Sequence, residues 1–106
     1  MALNARGSRG NDHMLRMNHV IWKLLTGAQI RAARALLRWS ADELAGAAKV
    51  GVATVRRAER TDGKPSMTEA NKEAIHRALE SAGVEFINED GGGPGVRLRK
   101  AGRKGK

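Results

Sequence analysis

The stretch from Ser40 to Arg60 constrains the fold more than any other part of the chain. It reads S-A-D-E-L-A-G-A-A-K-V-G-V-A-T-V-R-R-A-E-R. Its apolar residues recur at helical intervals in two short runs with a break between them. This spacing predicts two short helices that are joined by a turn of about four residues and packed through small side chains. The apolar positions are Leu44, Ala45, Ala48, Val50, Val55 and Ala58.

The second of these helices is expected to end in an exposed pair of arginines, Arg56 and Arg57. A short basic helix that is braced by another helix has a shape that fits the major groove of DNA. The rest of the sequence offers no catalytic constellation, no phosphate-binding loop ahead of a helix and no cysteine. The pattern therefore predicts a DNA-binding protein and not an enzyme, with no metal site and no cofactor.

Positive charge is distributed unevenly over the 106 residues, whose net charge is +9. Residues 31–60 carry seven basic and three acidic side chains, whereas residues 61–95 carry three basic and seven acidic ones. Residues 96–106 carry six basic side chains and no acidic one. Basic tails beside a basic helix suit a polyanionic partner, although charged tails can also serve solubility alone.

Three residue pairs with the spacing of a capping box predict helix starts at Thr26 with Gln29, Ser40 with Glu43, and Ser66 with Glu69. A further helix is predicted from Val52 to Arg60, and Gly83 should end the last helix. We expect Trp39 to plug the core between the first two helices. His76 is expected to be an exposed residue of the last helix.

Beyond Gly83 the apolar period changes from about 3.6 residues to 2, which is typical of strands. Val84–Ile87 and Val96–Arg99 flank a turn-forming stretch and predict a β-hairpin. A two-stranded hairpin is marginal alone, so this one should pack on the helices or pair with a second chain. The expected homodimer contact lies in this hairpin and the last helix, at Val84, Phe86, Val96 and Leu98.

These elements predict a mainly α fold with four or five helices and a C-terminal β-hairpin. Residues 26–83 would form the DNA-binding domain, residues 84–99 the hairpin and residues 100–106 a basic tail. Residues 1–25 would form an extension that is partly disordered or, over residues 14–25, an extra helix, although a strand or an arm fits equally. The longest apolar run is too short to span a membrane, and no signal-peptide core is present.

The residues from Thr26 to Ala82 resemble the Cro/repressor-type helix-turn-helix regulators, often called the XRE family. The family pattern has an Arg in helix one, then Ser-Gln-x-x-Leu-Ala, Ala-Gly-Val-Ser, Thr-Ile and a late Glu. The matching positions are Arg34, Ser40, Ala41, Leu44-Ala45, Ala48 to Gly51, Thr54-Val55 and Glu59. The resemblance implies a Cro/repressor-like fold with a structural ion pair between Arg34 and Glu59. The C-terminal part looks like that of a compact subgroup of small bacterial regulators.

Functional roles follow from the same resemblance. Gly51, Val52 and Ala53 would lie where the family enters the groove, close enough to contact a thymine methyl group. Arg56 and Arg57 are the expected base readers, although one of the two could contact phosphate alone. Arg56 is the preferred reader, because it lies on the same helix face as Val52. The candidate phosphate ligands are Lys49, Thr54, Arg60 and Lys64.

Three positions depart from the family pattern. Ala41 replaces a glutamine that contacts phosphate, so one side-chain contact is absent. Lys49 replaces the turn glycine, which costs roughly 1 kcal/mol if its φ is positive. Gly51 replaces a serine and is therefore a weaker cap for the helix that follows.

The function that we expect is transcriptional regulation by binding to specific double-stranded DNA in the bacterial cytoplasm. A repressor that acts as a homodimer on a palindromic operator fits best, and a partner regulatory protein is a further candidate ligand. One rival is the antitoxin of a toxin–antitoxin pair. The other is a protein-interaction adaptor or antiactivator on the same fold, which predicts no salt-dependent DNA binding.

Overall fold

Four helices precede a β-hairpin in the residues that the structure, a computed structural model, describes: 24–87 and 91–99. The helices are α1 (Gly27–Leu37), α2 (Ala41–Ala48), α3 (Val52–Glu59) and α4 (Glu69–Ser81). The strands are β1 (Val84–Ile87) and β2 (Gly95–Leu98). The mainly helical class and the C-terminal hairpin agree with the sequence prediction. The predictions for residues 1–23 of the N-terminal extension, residues 88–90 of the hairpin turn and the basic tail fall outside the described residues. Leu25, which the prediction assigned to the extension, is buried in the core.

Two of the three predicted capping boxes are confirmed. At α1 the Gln29 amide N–H donates to the Thr26 hydroxyl at 3.1 Å, and the Thr26 N–H donates to the Gln29 side chain at 3.0 Å. Ser40 and Glu43 make the equivalent pair of bonds at α2, at 3.0 and 2.7 Å.

The third predicted capping box is wrong, because α4 begins after Thr68 and not after Ser66. The backbone of Thr68 is still extended, with φ −69° and ψ 157°. A hydroxyl can reach a backbone N–H three residues ahead only when the residues between them are already helical. The Thr68 hydroxyl therefore accepts the N–H of Asn71, at 3.1 Å.

The core takes one apolar face from each helix and one side chain from the hairpin. Three of the five buried apolar residues of α2 and α3 are alanines, so small side chains supply most of the buried positions of these two helices. Trp39 is half-buried and packs against this cluster, as predicted. None of the described helices has the length and apolar character of a membrane span. The buried apolar residues are Leu25, Ile30, Ala33, Leu44, Ala45, Ala48, Val55, Ala58, Ile75, Leu79 and Val84.

The hairpin is anchored to the helices by Gln29, a residue of the α1 capping box. Its strands pair antiparallel, with Val84 opposite Leu98 and Phe86 opposite Val96. The Gln29 side-chain amide donates to the carbonyl of Gly95 at 3.0 Å and to that of Ile87 at 3.4 Å. Gln29 thus caps α1 and fixes the turn end of the hairpin at once.

His76 is buried, which corrects the prediction that it is exposed. Its ring stacks on Phe86 of β1, with centroids 4.4 Å apart and the planes inclined by 25°. Its Nδ1 lies 3.4 Å from Oε1 of Glu80, and its Nε2 is a buried nitrogen without a hydrogen-bond partner among the described residues. Helical spacing places His76 outside the predicted apolar face of the last helix, which is why the sequence predicts it to be exposed. Its burial comes from the hairpin, which packs over the ring in the tertiary structure. Burial lowers the pKa of His76 to about 4, with partial opposition from the Glu73 carboxylate.

We expect His76 to make the fold less stable in mild acid. The unfolded state takes up a proton near pH 6.5, whereas folded His76 does so only near pH 4. The stability that neutral His76 supports is therefore complete above pH 6.5 and falls as the pH drops, by about 1 to 2 kcal/mol between pH 7 and 5. Urea unfolding of wild type and His76→Phe at both pH values measures it, because the variant keeps the ring stack without the titration.

Glu80 contributes to the pH dependence with the opposite sign. Burial raises the pKa of Glu80, so the stability linked to its proton is present in acid and lost as the pH rises. Because His76 Nδ1 lies 3.4 Å from Glu80 Oε1, both proteins are also measured with Glu80→Gln, and the difference between them in that background is the His76 contribution. Equal losses of stability in wild type and His76→Phe would contradict the assignment.

Candidate nucleic-acid interface

Three residues, Lys49 to Gly51, connect α2 to α3, so the turn is one residue shorter than predicted. Lys49 adopts the left-handed conformation, with φ 60° and ψ 45°. Its N–H donates to the Gly46 carbonyl at 3.3 Å, and the Val50 N–H donates to that of Ala45 at 3.0 Å. These bonds close the last turn of α2 in the way that usually requires glycine at this position.

The start of α3 presents a small apolar tip. Gly51 is extended, with φ −72°, and offers no side-chain cap, as its residue type predicts. Gly51 and Ala53 are exposed, whereas Val52 is half-buried and packs against the core. The structure thus leaves two of the three predicted groove-entering residues at the surface and turns Val52 partly inward.

The outer face of α3 is arginine-rich. Val55 and Ala58 are fully buried, which fixes the orientation of the helix on the core. The exposed positions follow at intervals of three, four and seven residues, so they lie on one side of the helix. Val52, which the sequence pairs with Arg56, lies at the half-buried edge of this side. The surface, called here the α3 arginine face, consists of Ala53, Arg56, Arg57 and Arg60.

The basic side chains of the described residues divide into two groups of six. One group is engaged by acidic side chains or by a carbonyl: Arg31 with Asp62, Arg34 with Glu59, Lys72 with Glu69, Arg77 with Glu73, Arg97 with Glu85, and Arg99 with the Glu80 carbonyl. The other group has no hydrogen-bond or ion-pair partner among residues 24–87 and 91–99. We call it the free cations: Arg38, Lys49, Arg56, Arg57, Arg60 and Lys64.

All free cations lie between Arg38 and Lys64, in one continuous part of the chain. Residues 24–64 contain eight basic and four acidic side chains. The described residues from 65 onward contain four of each, and their basic groups are engaged. Uncompensated positive charge in the described chain is therefore confined to α3 and to the segments that flank α2 and α3, while α4 and the hairpin neutralise their own charge.

The predicted phosphate ligands are not equally available. Lys49, Arg60 and Lys64 are exposed, and each is a free cation. Thr54 is half-buried, and its hydroxyl oxygen lies 3.9 Å from the position that a Cβ atom would take at Gly51. The structure thus brings Arg60 together with the candidate base readers and places Lys64 in the loop that follows α3.

Arg38 is a free cation that the sequence interpretation missed. It ends α1 in the left-handed conformation, with φ 59°, just before the start of α2. A basic residue in the short gap between a helical pattern and the capping Ser40 was the available signal. We therefore add Arg38 to the candidate phosphate ligands.

Arg34 and Glu59 form the ion pair that the family resemblance implied. Nε and Nη2 of Arg34 donate to the two carboxylate oxygens of Glu59 at 2.7 and 2.8 Å, and Nη1 donates to the Trp39 carbonyl at 2.8 Å. The hydrogen bond to Glu59 raises the pKa of Arg34 above its ordinary value. One side chain of α1 thus fixes both the end of α3 and the entry to α2.

A groove of about 470 Å³ lies between the end of α2 and α4. Alanines, Trp39, Lys49 and Arg77 line most of it, and no carboxylate or imidazole is among its lining residues. Within the described part of the chain, no three acidic or histidine side chains gather as a metal site requires.

Replacing Lys49 by glycine should separate stability from charge. Glycine adopts positive φ without a steric penalty, so we expect the free energy of unfolding to rise by about 1 kcal/mol. The same change removes one free cation, so the dependence of DNA affinity on salt should weaken by about one phosphate contact. Urea unfolding and DNA titration at several salt concentrations measure the two effects. A variant that is more stable but binds DNA with an unchanged salt slope would show that Lys49 does not contact a phosphate.

Comparison with known proteins adds no assignment to this geometry. No protein-family model matches the chain, and no curated protein matches it.

Proposed function

We propose that the protein is a transcriptional regulator that binds double-stranded DNA through α2 and α3. In this proposal α2, Lys49 to Gly51 and α3 act as a helix-turn-helix unit of the Cro/repressor type. The observation that carries the proposal is the confinement of all free cations to this unit and its flanks. A continuous part of the chain that leaves six exposed cations without partners among the described residues, while α4 and the hairpin neutralise their own charge, is suited to a polyanion.

The α3 arginine face supplies sequence reading in this proposal. A helix with exposed arginines can enter the major groove, where an arginine makes two hydrogen bonds to guanine. Arg56 and Arg57 are the base readers, and the small side chains at Gly51 and Ala53 permit close approach of the helix to the bases. The remaining free cations, Arg38, Lys49, Arg60 and Lys64, grip phosphates and set the register.

A homodimer on a palindromic site completes the proposal. One two-turn helix covers only a few base pairs, and a second copy doubles the sequence that is read. The structure changes where the contact can lie, because Val84 is buried within its own chain, while Phe86 and Val96 are half-buried against the core. Leu98 is 44% exposed and is the predicted contact residue that remains most accessible.

Repression is the simplest regulatory outcome. A regulator of this size can act by covering a promoter, and its resemblance to small bacterial regulators favours a cytoplasmic protein. The rival that we retain is an adaptor that uses the same fold to bind another protein. The exposed, uncharged start of α3 at Gly51 and Ala53 fits that rival. The adaptor hypothesis does not account for the free cations.

Selection from random duplex DNA tests the proposal, followed by titration of the enriched duplex at several salt concentrations. We expect an enriched palindrome with half-sites about one helical turn apart, bound less tightly and less selectively by Arg56→Ala. Leu98→Asp should convert dimers to monomers in sedimentation analysis and weaken binding to the palindrome. Salt-sensitive binding without an enriched sequence would reject the reading role of α3, and absence of binding would favour the adaptor.

A further inference from the structure

The segment from Glu59, the last residue of α3, to Gly63 is bound along its length by α1. Nη1 of Arg31 donates to the carbonyl of Glu59 at 2.5 Å and to that of Thr61 at 3.2 Å. Nη2 of Arg31 pairs with the Asp62 carboxylate.

The first turn of α1 completes this attachment. The N–H of Gly27 donates to the Gly63 carbonyl at 2.8 Å, and that of Ala28 donates to the Asp62 carbonyl at 3.4 Å. These N–H groups have no acceptor within their own helix, and the carbonyl of Glu59 belongs to the last turn of α3, where carbonyls also lack helical partners. A cation is favourable at this end of a helix. We call Glu59 to Gly63 the docked segment.

We propose that Arg31 is a positioning residue for DNA binding, acting through the docked segment on Arg60 and Lys64. This inference rests on the proposed function. Arg60 lies inside the docked segment and Lys64 immediately follows it, and both are free cations. Because the Arg31 side chain bonds two carbonyls of this segment, it fixes the backbone from which the two cations project.

The contacts of Arg31 distinguish this role from direct phosphate binding. Its guanidinium is already engaged by two carbonyls and one carboxylate, and the carboxylate offsets its charge. Arg60 and Lys64 have no such partners in the described chain. Loss of Arg31 should therefore weaken phosphate contacts that other residues make, and should lower affinity for all sequences alike, because phosphate contacts carry no sequence information.

A double-mutant cycle tests the inference on the full-length protein. The probe is the enriched duplex, with a scrambled duplex of equal length beside it, each titrated at several salt concentrations. We expect Arg31→Gln to lower affinity for both duplexes about tenfold and to reduce the salt slope by about one phosphate contact. In a protein that already carries Arg60→Ala and Lys64→Ala, the same change should cost less than about twofold, because coupled residues are not additive.

Two further variants act as controls. Arg77→Gln removes an equal charge from an exposed arginine that is paired with Glu73 on α4, and it should leave affinity within about twofold of wild type. Asp62→Asn removes the carboxylate but leaves the two carbonyl bonds of Arg31, so it should not weaken binding. If Arg31→Gln is unfolded by circular dichroism, Arg31→Lys replaces it, since lysine keeps the charge without the fork that reaches both carbonyls.

The outcomes separate this inference from the proposed function. Equal losses from Arg31→Gln in the wild-type and the Arg60/Lys64-substituted backgrounds would show that Arg31 acts on its own and would overturn the positioning role alone. Weakening by Asp62→Asn as large as that by Arg31→Gln would also overturn it. If wild type binds neither duplex at any salt concentration, both the proposed function and the inference fail.

Discussion

Changing Arg56, Arg57 and Arg60 together to glutamine is expected to lower affinity for the enriched duplex by at least about 1,000-fold at physiological salt. Each arginine that contacts phosphate releases counterions, and each that pairs with a base contributes about 1–3 kcal/mol of discrimination. The salt slope should fall by about one for each arginine that touches a phosphate in the wild-type complex. Fluorescence anisotropy titrations over a range of salt concentrations measure both quantities.

A matched triple variant removes three positive charges from α4 and the end of the hairpin, where the basic side chains have partners. Arg77, Arg97 and Arg99 are exposed and engaged by Glu73, Glu85 and the Glu80 carbonyl. Changing these three to glutamine should reduce affinity less than about tenfold, through the change in net charge alone. Similar effects of the two triple variants would mean that binding follows net charge, and the α3 arginine face would then have no special role.

Gly27→Ala is expected to destabilise the fold by about 3 kcal/mol, the second large effect. A Cβ atom at this position would overlap the carbonyl oxygens of Ala58 and Thr61, which are backbone atoms and cannot move aside as a side chain can. The substitution would therefore push the first turn of α1 away from the docked segment. Urea unfolding measures the loss of stability, and DNA affinity of the folded fraction should fall with it.

Gly46→Ala is the control with the same chemical change and the opposite expected sign. Gly46 is exposed within α2, and a Cβ atom there would meet no heavy atom within 4 Å. Alanine in place of glycine in a helix interior should therefore stabilise by about 0.5–1 kcal/mol. A stabilising Gly27→Ala, or equal effects of the two changes, would contradict the close contact between α1 and the docked segment.

Features that depend on neighbouring residues in the chain are predictable from the sequence. The capping boxes at Thr26 and Ser40 require a hydroxyl and a Glu or Gln three residues later, and both are present in the structure. Lys49 adopts positive φ at the position where the family pattern that the chain resembles has a glycine. The change of apolar period after Gly83 locates the hairpin. In each case the interactions that decide the structure span only a few residues.

Features that depend on which elements meet are predicted less well. Helical periodicity places His76 at the surface, because it does not show that Phe86 of the hairpin will cover the ring. Alternation in β1 offers Val84 to a dimer contact, whereas its side chain closes the core beneath α4 and α1. Thr68 displaces Ser66 as the cap of α4, since both hydroxyls precede the helix and only the backbone conformation distinguishes them.

The candidate site shows the same division. Composition and spacing identify a basic second helix with Arg56 and Arg57 at its end, because side-chain charge and helical period belong to the residues themselves. Whether a charge is free is a property of its neighbours in space. Arg31 and Arg34 lie on the helix that Arg38 ends, yet the docked segment and α3 engage the first two and leave Arg38 without a partner in the described chain. The sequence by itself determined the helices, most of their caps, the supply of positive charge and the local pairs of α4, where Lys72 and Arg77 have an acid three or four residues away. Only the tertiary structure decided which of the other cations are engaged, because acids and carbonyls distant in the chain reach some of them and not others.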